Sequence, residues 1–502
     1  MSARRTVWSY QDTSLGESFL WSLAVTALPV ASGFVISWVI ARWAGPVVIG
    51  TVSWVMSFAT MLEIPAKFGM DLSGSQLASE LGVKSPGRLR GLFRTAIGLR
   101  LVFTAAVSVL TLLFAPAIAR FFKDPALTVP IRVGAGVLFC VSLYEFQENF
   151  LIGLNRLRTV YKIRSLHLSL RIVFTSALVI LGARAIGILS GYCAAWIIVI
   201  AIFGILLHRC LPASDPSPQA GGHTGRLMRL SLALTVSSAS VILYSHMDRL
   251  ILGYFSGVSE VGQYTVARNI AEVSLFPVFA AMMMLRPALA ARYSVGRVGE
   301  SARIIGRTLQ YTFASGVWFC ALFVTLGVPL VTLVFSETFR YAGQLLVWFV
   351  GVIAFRSVGA VILPALVAAG RARLYAYLTM SSAAIYFLAS IFLIPRLESR
   401  GAILATFGSY GVLMVIGLTK VFRIYGIHVG WRSWSIPVRT ILAGAVASGA
   451  TWWASEHSPL TVPVLPGALL VTVIYLFLIF IFRVGTMSDL RRLRGNLKES
   501  KE

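Results

Sequence analysis

The chain has 502 residues, of which 57% are hydrophobic and only 13% charged, whereas a soluble protein carries about 25% charged residues. The net charge of +25 is spread through short segments between apolar runs, not gathered in a basic domain or an RNA-binding motif, which excludes a nucleic-acid partner. Cys140, Cys193, Cys210 and Cys320 lack metal-ligand spacing and read as small packing residues.

Apolar runs long enough to cross a bilayer as helices, about 20 residues each, recur along the whole length. Strand alternation is absent, which excludes an outer-membrane barrel. In chain order, spans are predicted at 18–41, 46–66, 95–119, 130–151, 165–183, 186–207, 230–254, 262–285, 308–335, 344–368, 374–394, 401–419, 437–455 and 463–482. Arg4 and Arg5 precede the first run, but that run is too long for a signal-peptide core and is read as the first span.

Fourteen spans put both termini on one side. The segments on that side hold 31 Lys and Arg, against 8 in the opposite segments and 5 inside spans. The positive-inside rule therefore predicts cytoplasmic termini in a multi-pass membrane protein. The outer segments are all short.

The run ARWAGPVVIG at 41–50 is echoed by GYFSGVSEVG at 253–262. Gly45 and Gly50 lie 212 positions before Gly257 and Gly262. The same offset relates Pro65 to Pro277 and Gly87 to Gly299, then drifts to 215, where Arg156 and Arg158 meet Arg371 and Arg373. The expected fold is all-α, with two parallel six-helix lobes related by a pseudo-twofold axis along the membrane normal, plus two C-terminal helices. The predicted boundaries are an N-terminal lobe over 1–210, a cytoplasmic linker over 211–225, a second lobe over 226–424, a helix pair over 425–482 and a basic tail over 483–502. The linker is rich in Pro, Gly and Ser. In the tail, Leu490, Leu493 and Leu497 recur at helical spacing beside Arg491, Arg492 and Arg494, which fits the anionic inner leaflet.

IARWAGPVVIG resembles the signature that closes the first span of Wzx-type oligosaccharide flippases, in the multidrug/oligosaccharidyl-lipid/polysaccharide exporter superfamily. LYSHMDRLILGYFSGVSEVGQY at 243–264 resembles the matching signature of their second lobe, with Asp248, Gly253, Gly257, Gly262 and Tyr264 in place. The resemblance covers the first twelve spans. It implies alternating access by two rocking lobes and a polyprenyl-diphosphate-linked oligosaccharide as substrate, moved from the cytoplasmic to the periplasmic leaflet for O-antigen or exopolysaccharide synthesis. The partners it implies are undecaprenyl-diphosphate-linked oligosaccharide, membrane lipids, and a polysaccharide polymerase with its chain-length machinery, around a monomer.

Charges inside spans are costly, about 2.5–3.5 kcal/mol each at mid-bilayer on insertion scales. Arg100 and Arg171 lie six residues from predicted cytoplasmic ends, within snorkelling reach. Glu63, Glu145 and Glu148 fall near the same ends, and Asp248 and Arg249 near an outer end. Arg268, Glu272 and Arg356 are predicted deeper and should face a wet interior. Arg268 and Glu272, spaced i and i+4, share a helix face: they neutralise one another, or Arg268 holds a phosphate while Glu272 binds a proton or Na⁺. Resemblance to lipid II flippases implies a cavity-facing arginine early in the eighth span, where Arg268 stands. Those proteins also carry cavity arginines in their first two spans, and this chain offers only Arg42 there. The cationic cavity is therefore expected from Arg268, Arg356, Arg249 and Arg100, with Glu272 and Asp248 as ion-coupling candidates.

No Walker motif, metal box or nucleophile triad occurs in the sequence, so a non-enzyme without cofactor is expected, driven by an H⁺ or Na⁺ gradient or the membrane potential. Three alternatives stand beside this reading: a lipid II flippase, a multidrug or cation antiporter of the same fold, and a membrane-embedded glycosyltransferase or polymerase.

Overall fold

The computed structural model describes residues 15–211, 222–427, 431–457 and 464–481. Arg4, Arg5, most of the predicted linker and the basic tail lie outside the described residues. The described residues are almost wholly α-helical, with no strand among them. Nine of their helices are long and apolar enough to cross a membrane, or ten if a pair bent by 45° near Leu275 counts as one span. The predicted thirteenth span, inside the helix Trp431–His457, is not among these. Some single helices contain two predicted spans.

The first helix, α1 (Leu15–Lys67), is interrupted at Gly45, where φ is 83° and ψ 178°. This backbone region is essentially restricted to glycine. α7 (Gly222–Ser274) is interrupted in the same way at Gly257, with φ 82° and ψ 171°. Gly45 and Gly257, 212 positions apart, thus perform one identical backbone turn.

The second glycine of each run has a different duty. A Cβ on Gly50 would lie 1.8 Å from the Val258 carbonyl oxygen, and one on Gly262 would lie 2.1 Å from that of Pro46. The segment after one turn crosses the segment after the other, backbone against backbone, and only hydrogen fits between. Gly253 completes the set, since its Cβ would lie 2.4 Å from Cδ1 of the fully buried Trp54.

Between these turns run α2 (Met70–Lys84), α3 (Leu89–Phe121), α4 (Thr128–Gly153), α5 (Leu157–Ile180) and α6 (Ala185–Cys210). α2 occupies a stretch predicted from sequence as a loop. Its apolar residues Met70, Leu77, Ala78 and Leu81 are buried, a helical stripe too short and polar to read as a span. After α7 come α8 (Phe276–Tyr293), α9 (Val298–Val334), α10 (Arg340–Gly359), α11 (Ile362–Ala368), α12 (Ala372–Tyr425), α13 (Trp431–His457) and α14 (Val464–Ile481). By compactness the chain divides into Met1–Thr265 and Val266–Glu502. The first unit thus keeps α7 as far as Thr265, well past the linker where the sequence repeat divides.

The duplication is legible in backbone detail. A short 3-10 turn at Pro125–Leu127 precedes α4, and another at Glu337–Phe339 precedes α10, 212 positions later. α4 ends with a left-handed Asn155 whose successor Arg156 donates its N–H to the Leu151 carbonyl at 3.0 Å. α11 ends identically, with left-handed Gly370 and an Arg371 N–H to the Leu366 carbonyl at 2.8 Å. This offset is 215, and both are helix ends closed by a 6→1 hydrogen bond. The three extra residues enter between Arg340 and Ala368, where the counterpart of continuous α4 is split into α10 and α11. The predicted tenth span, 344–368, is therefore a broken helix.

The second unit holds two apolar clusters. Leu285, Leu289, Ile362, Leu366 and Tyr425 join α8, α11 and α12. Val317, Ala443, Val471 and Tyr475 join α9 to α13 and α14, so the C-terminal helix pair packs onto this unit.

The crossing yields a test. Gly50→Ala and Gly262→Ala should each lower stability by about 1–3 kcal/mol, the usual cost of overpacking, read as a lower midpoint of thermal unfolding. Gly33→Ala, where a Cβ would meet nothing within 4 Å, should leave the midpoint unchanged.

Candidate functional site

Intramembrane charge collects in distinct places. In the second unit the side chains of Arg268 and Glu272 stack one turn apart, with Arg268 Nε donating to Glu272 Oε1 at 3.1 Å. Nη1 of Arg356, on α10, lies 3.9 Å from the same carboxylate oxygen. The Arg356 guanidinium also sits 5.4 Å from the centre of the Tyr410 ring of α12. Two guanidiniums thus share one carboxylate, and the trio carries a net positive charge. Arg268 lies about 16 Å along α7 from the Gly257 turn, and Arg356 about 24 Å from the start of α10, at 1.5 Å per residue.

Asp248 and Arg249 lie in the first unit. Asp248 is buried and accepts from the Tyr264 hydroxyl at 2.7 Å and from the Arg249 backbone N–H at 2.8 Å. Tyr264 and Asp248 are both parts of the second-lobe signature, so the signature pair is a hydrogen bond across the Gly257 turn. Arg249 points elsewhere: its Nη1 donates to Ser57 Oγ at 3.3 Å, and Ser57 also meets His246 at 3.4 Å.

Arg100 is placed differently from the snorkelling arginine that its position predicts. It is fully buried, pairs with Asp71 at 3.1 Å and donates to the Ser142 carbonyl at 2.8 Å. Lys67 stands beside it, in ion pairs with Glu63 and Glu145 and 4.0 Å from Asp71. Burial pushes the Asp71 carboxyl up from its ordinary range, opposed by Arg100 and Lys67. Five charged groups from α1, α2, α3 and α4 therefore form one network, in which three acids hold two bases. Glu63, Lys67 and Asp71 are spaced i, i+4 and i+8, a ladder visible in the sequence. Left-handed Phe68 and Gly69 separate α1 from α2 between Lys67 and Asp71, a break that sequence spacing does not reveal.

A third group joins α4, α5 and α6. Glu148 accepts from Arg164 Nε at 2.7 Å and from the Tyr144 hydroxyl at 3.0 Å. Arg171, also expected to snorkel, instead lies on the inward stripe of α5, its guanidinium 4.4 Å from the centre of the Tyr192 ring. Among the described residues, no group of three His, Cys, Asp or Glu is placed to hold a metal.

Residues 15–291, more than half of the chain, match the family model described as "Polysaccharide biosynthesis protein". The chain belongs to that family. It is thereby a member of the exporter superfamily whose signatures the repeated runs resemble, and a multi-pass membrane protein. No curated protein matches it by sequence. Among solved structures, it is similar to the lipid II flippase MurJ in an inward closed conformation, with TM-score 0.72, 13% identity, and 92% of this chain and 98% of that one covered. An inward-facing multidrug resistance MATE transporter superposes with TM-score 0.63 at 15% identity, covering 81% and 96%. A superfamily transporter from Pyrococcus furiosus, described as having a binding pocket of reverse polarity, superposes with TM-score 0.55 at 13% identity, covering 81% and 95%. At these identities the likeness is one of fold. For this member of the polysaccharide biosynthesis family the all-helical fold of these membrane transporters is established.

Removing one partner of a buried pair strands the other, at about 3–5 kcal/mol. Arg100→Leu and Asp71→Leu should each destabilise the purified protein strongly. The double substitution should recover much of the loss in the same thermal assay, a coupling that an ordinary surface pair would lack.

Proposed function

We propose that this protein flips a polyprenyl-diphosphate-linked oligosaccharide from the cytoplasmic to the periplasmic leaflet of a bacterial inner membrane, for surface polysaccharide synthesis. The observation that carries the reading is the trio of Arg268, Glu272 and Arg356. Two guanidiniums with one carboxylate between them form a cationic patch with an internal placeholder. A diphosphate brings more negative charge than Glu272 and offers paired oxygens to both arginine forks. It displaces the carboxylate when it binds and returns the arginines to it on release. Desolvating the diphosphate is thereby offset without leaving two bare guanidiniums in the apolar interior between transport events.

The excess of 31 basic residues over 8 supports cytoplasmic termini and an inner-membrane location. The membrane potential favours outward movement of a bare negative charge by about 2.3 kcal/mol per 100 mV. Glu272 and Asp248 are the proposed ion-coupling groups, since each exchanges a hydrogen-bond donor for a proton or Na⁺ without leaving its helix. A polymerase with its chain-length machinery would receive the product, and the flippase would act as a monomer. A lipid II substrate is the nearest second reading. The family match to polysaccharide biosynthesis favours the oligosaccharide.

Reconstituted vesicles supplied with defined lipid-linked oligosaccharide test this reading. Arg268→Ala and Arg356→Ala should each slow translocation by at least about tenfold, the effect of losing a charge-assisted hydrogen bond worth about 1.5–3 kcal/mol. Arg268→Lys should retain part of the activity. Native rates in both alanine variants would overturn the assignment of these residues, and preferential transport of lipid II would overturn the substrate. For coupling, Glu272→Gln combined with Asp248→Asn should remove the dependence of transport on an imposed H⁺ or Na⁺ gradient. Unchanged gradient dependence would refute it.

A further inference from the structure

The first unit holds a second cationic place that none of this uses. His167, Arg171 and Thr175 follow at i, i+4 and i+8 along α5, a single face of that helix. The first two face Tyr192 and Trp196, one turn apart on α6: the His167 ring is stacked at 5.5 Å on Trp196, and the Arg171 guanidinium lies 4.4 Å from the centre of Tyr192 and 5.8 Å from that of Trp196. His167, Thr175 and Trp196 are each at most 4% exposed. Yet Arg171 Nε, Trp196 Nε1, Thr175 Oγ1 and His167 Nε2 are all buried without a hydrogen-bond partner.

Leaving such atoms unsatisfied costs about 1–3 kcal/mol apiece, more for a charged group, and buried polar atoms are almost always paired. Here four gather on one two-helix face, which is the arrangement a bound polar ligand would satisfy. Its chemistry follows from the donor set. The guanidinium and the indole N–H are donors only, the hydroxyl can donate, and a neutral imidazole donates from whichever nitrogen carries its proton. Among the described residues no carboxylate pairs with Arg171. The nearby Glu148 is held by Arg164 and Tyr144. The aromatic faces offset part of the cost of that guanidinium, but leave its charge unbalanced. Water would satisfy hydrogen bonds without balancing charge. An oxyanion does both.

We propose that the α5–α6 face of the first unit is an oxyanion-binding site, built by Arg171, Thr175, Trp196 and His167, that takes a carboxylate or phosphate group. The ligand is either a phosphate, as of a phospholipid or lipid-diphosphate head, or the carboxylate of an acidic sugar. Both present oxygens spaced for one guanidinium fork with an N–H and an O–H beside it. Tyr192 and Trp196 provide flat apolar walls of the kind that accept the carbon skeleton of such a ligand.

The test uses the full chain in lipid nanodiscs with Arg268→Ala and Arg356→Ala introduced, so that the arginines of the proposed transport site contribute nothing. Inorganic phosphate and glucuronate are titrated separately by calorimetry, with glucose as the uncharged control. Saturable binding of phosphate or glucuronate but not glucose is expected, and the tighter of the two names the source. Arg171→Gln should weaken that binding at least about tenfold. Trp196→Phe, which keeps the ring and removes only the N–H, should weaken it severalfold with the melting midpoint retained. Arg171→Lys should keep measurable affinity. Absence of saturable binding, or equal affinity in the native-sequence site and in Trp196→Phe, would overturn the proposal even where Arg171→Gln fails to fold. Because the transport-site arginines are absent throughout, failure here leaves the reading of Arg268 and Arg356 standing.

Discussion

At Gly50 and Gly262 two backbones cross with no room for a side chain, and the neighbouring contacts of the first unit depend on that crossing. No side chain fits there, so the helical segments that follow Gly45 and Gly257 meet at van der Waals distance through their peptide groups. Small residues at helix crossings are the usual means of association in lipid, where apolar burial offers no driving force between helices. The crossing also fixes neighbours. Trp54, buried against Gly253 and stacked on Phe58, and the Asp248–Tyr264 hydrogen bond both lie within a few turns of it.

Electrostatics follows the same logic of forced proximity. A helix that crosses an apolar medium must satisfy any charge it carries from its own turns or its neighbours. Three solutions coexist. Arg100 and Lys67 are over-balanced by three acids in one network. Arg268 and Arg356 share one carboxylate, that of Glu272. Arg171 has aromatic faces in place of a counter-charge. The first arrangement ties four helices together, while the other two set guanidiniums against a shared acid or against aromatic rings.

Much of this was legible before any coordinates. The repeat at 212 and 215 positions is reproduced by turns, 3-10 segments and helix ends. Signature residues Gly45 and Gly257 make the same turn, Gly50 and Gly262 the crossing, and Gly253 the room for Trp54. Arg268 with Glu272 was foreseeable from i, i+4 spacing. The addition of Arg356 to that pair was not, because it comes from another helix 84 positions further on. The snorkelling expectation for Arg100 and Arg171 failed for one reason: depth along a helix says nothing about which side of it faces a neighbour.

By itself the sequence determined the helical class, the membrane environment, the duplication and the places where only glycine serves. Those properties depend on local composition, periodicity and backbone dihedrals, which are carried residue by residue. Tertiary structure alone decided which charges meet: Lys67 with Glu145, Arg100 with Asp71 and Ser142, Arg356 with Glu272, and Arg171 with Tyr192. Pairings between helices depend on rotation and register about each helix axis, and a shift of a single residue turns a side chain by about 100°. Apolar periodicity spread around most of each helix leaves that angle open, and packing closes it.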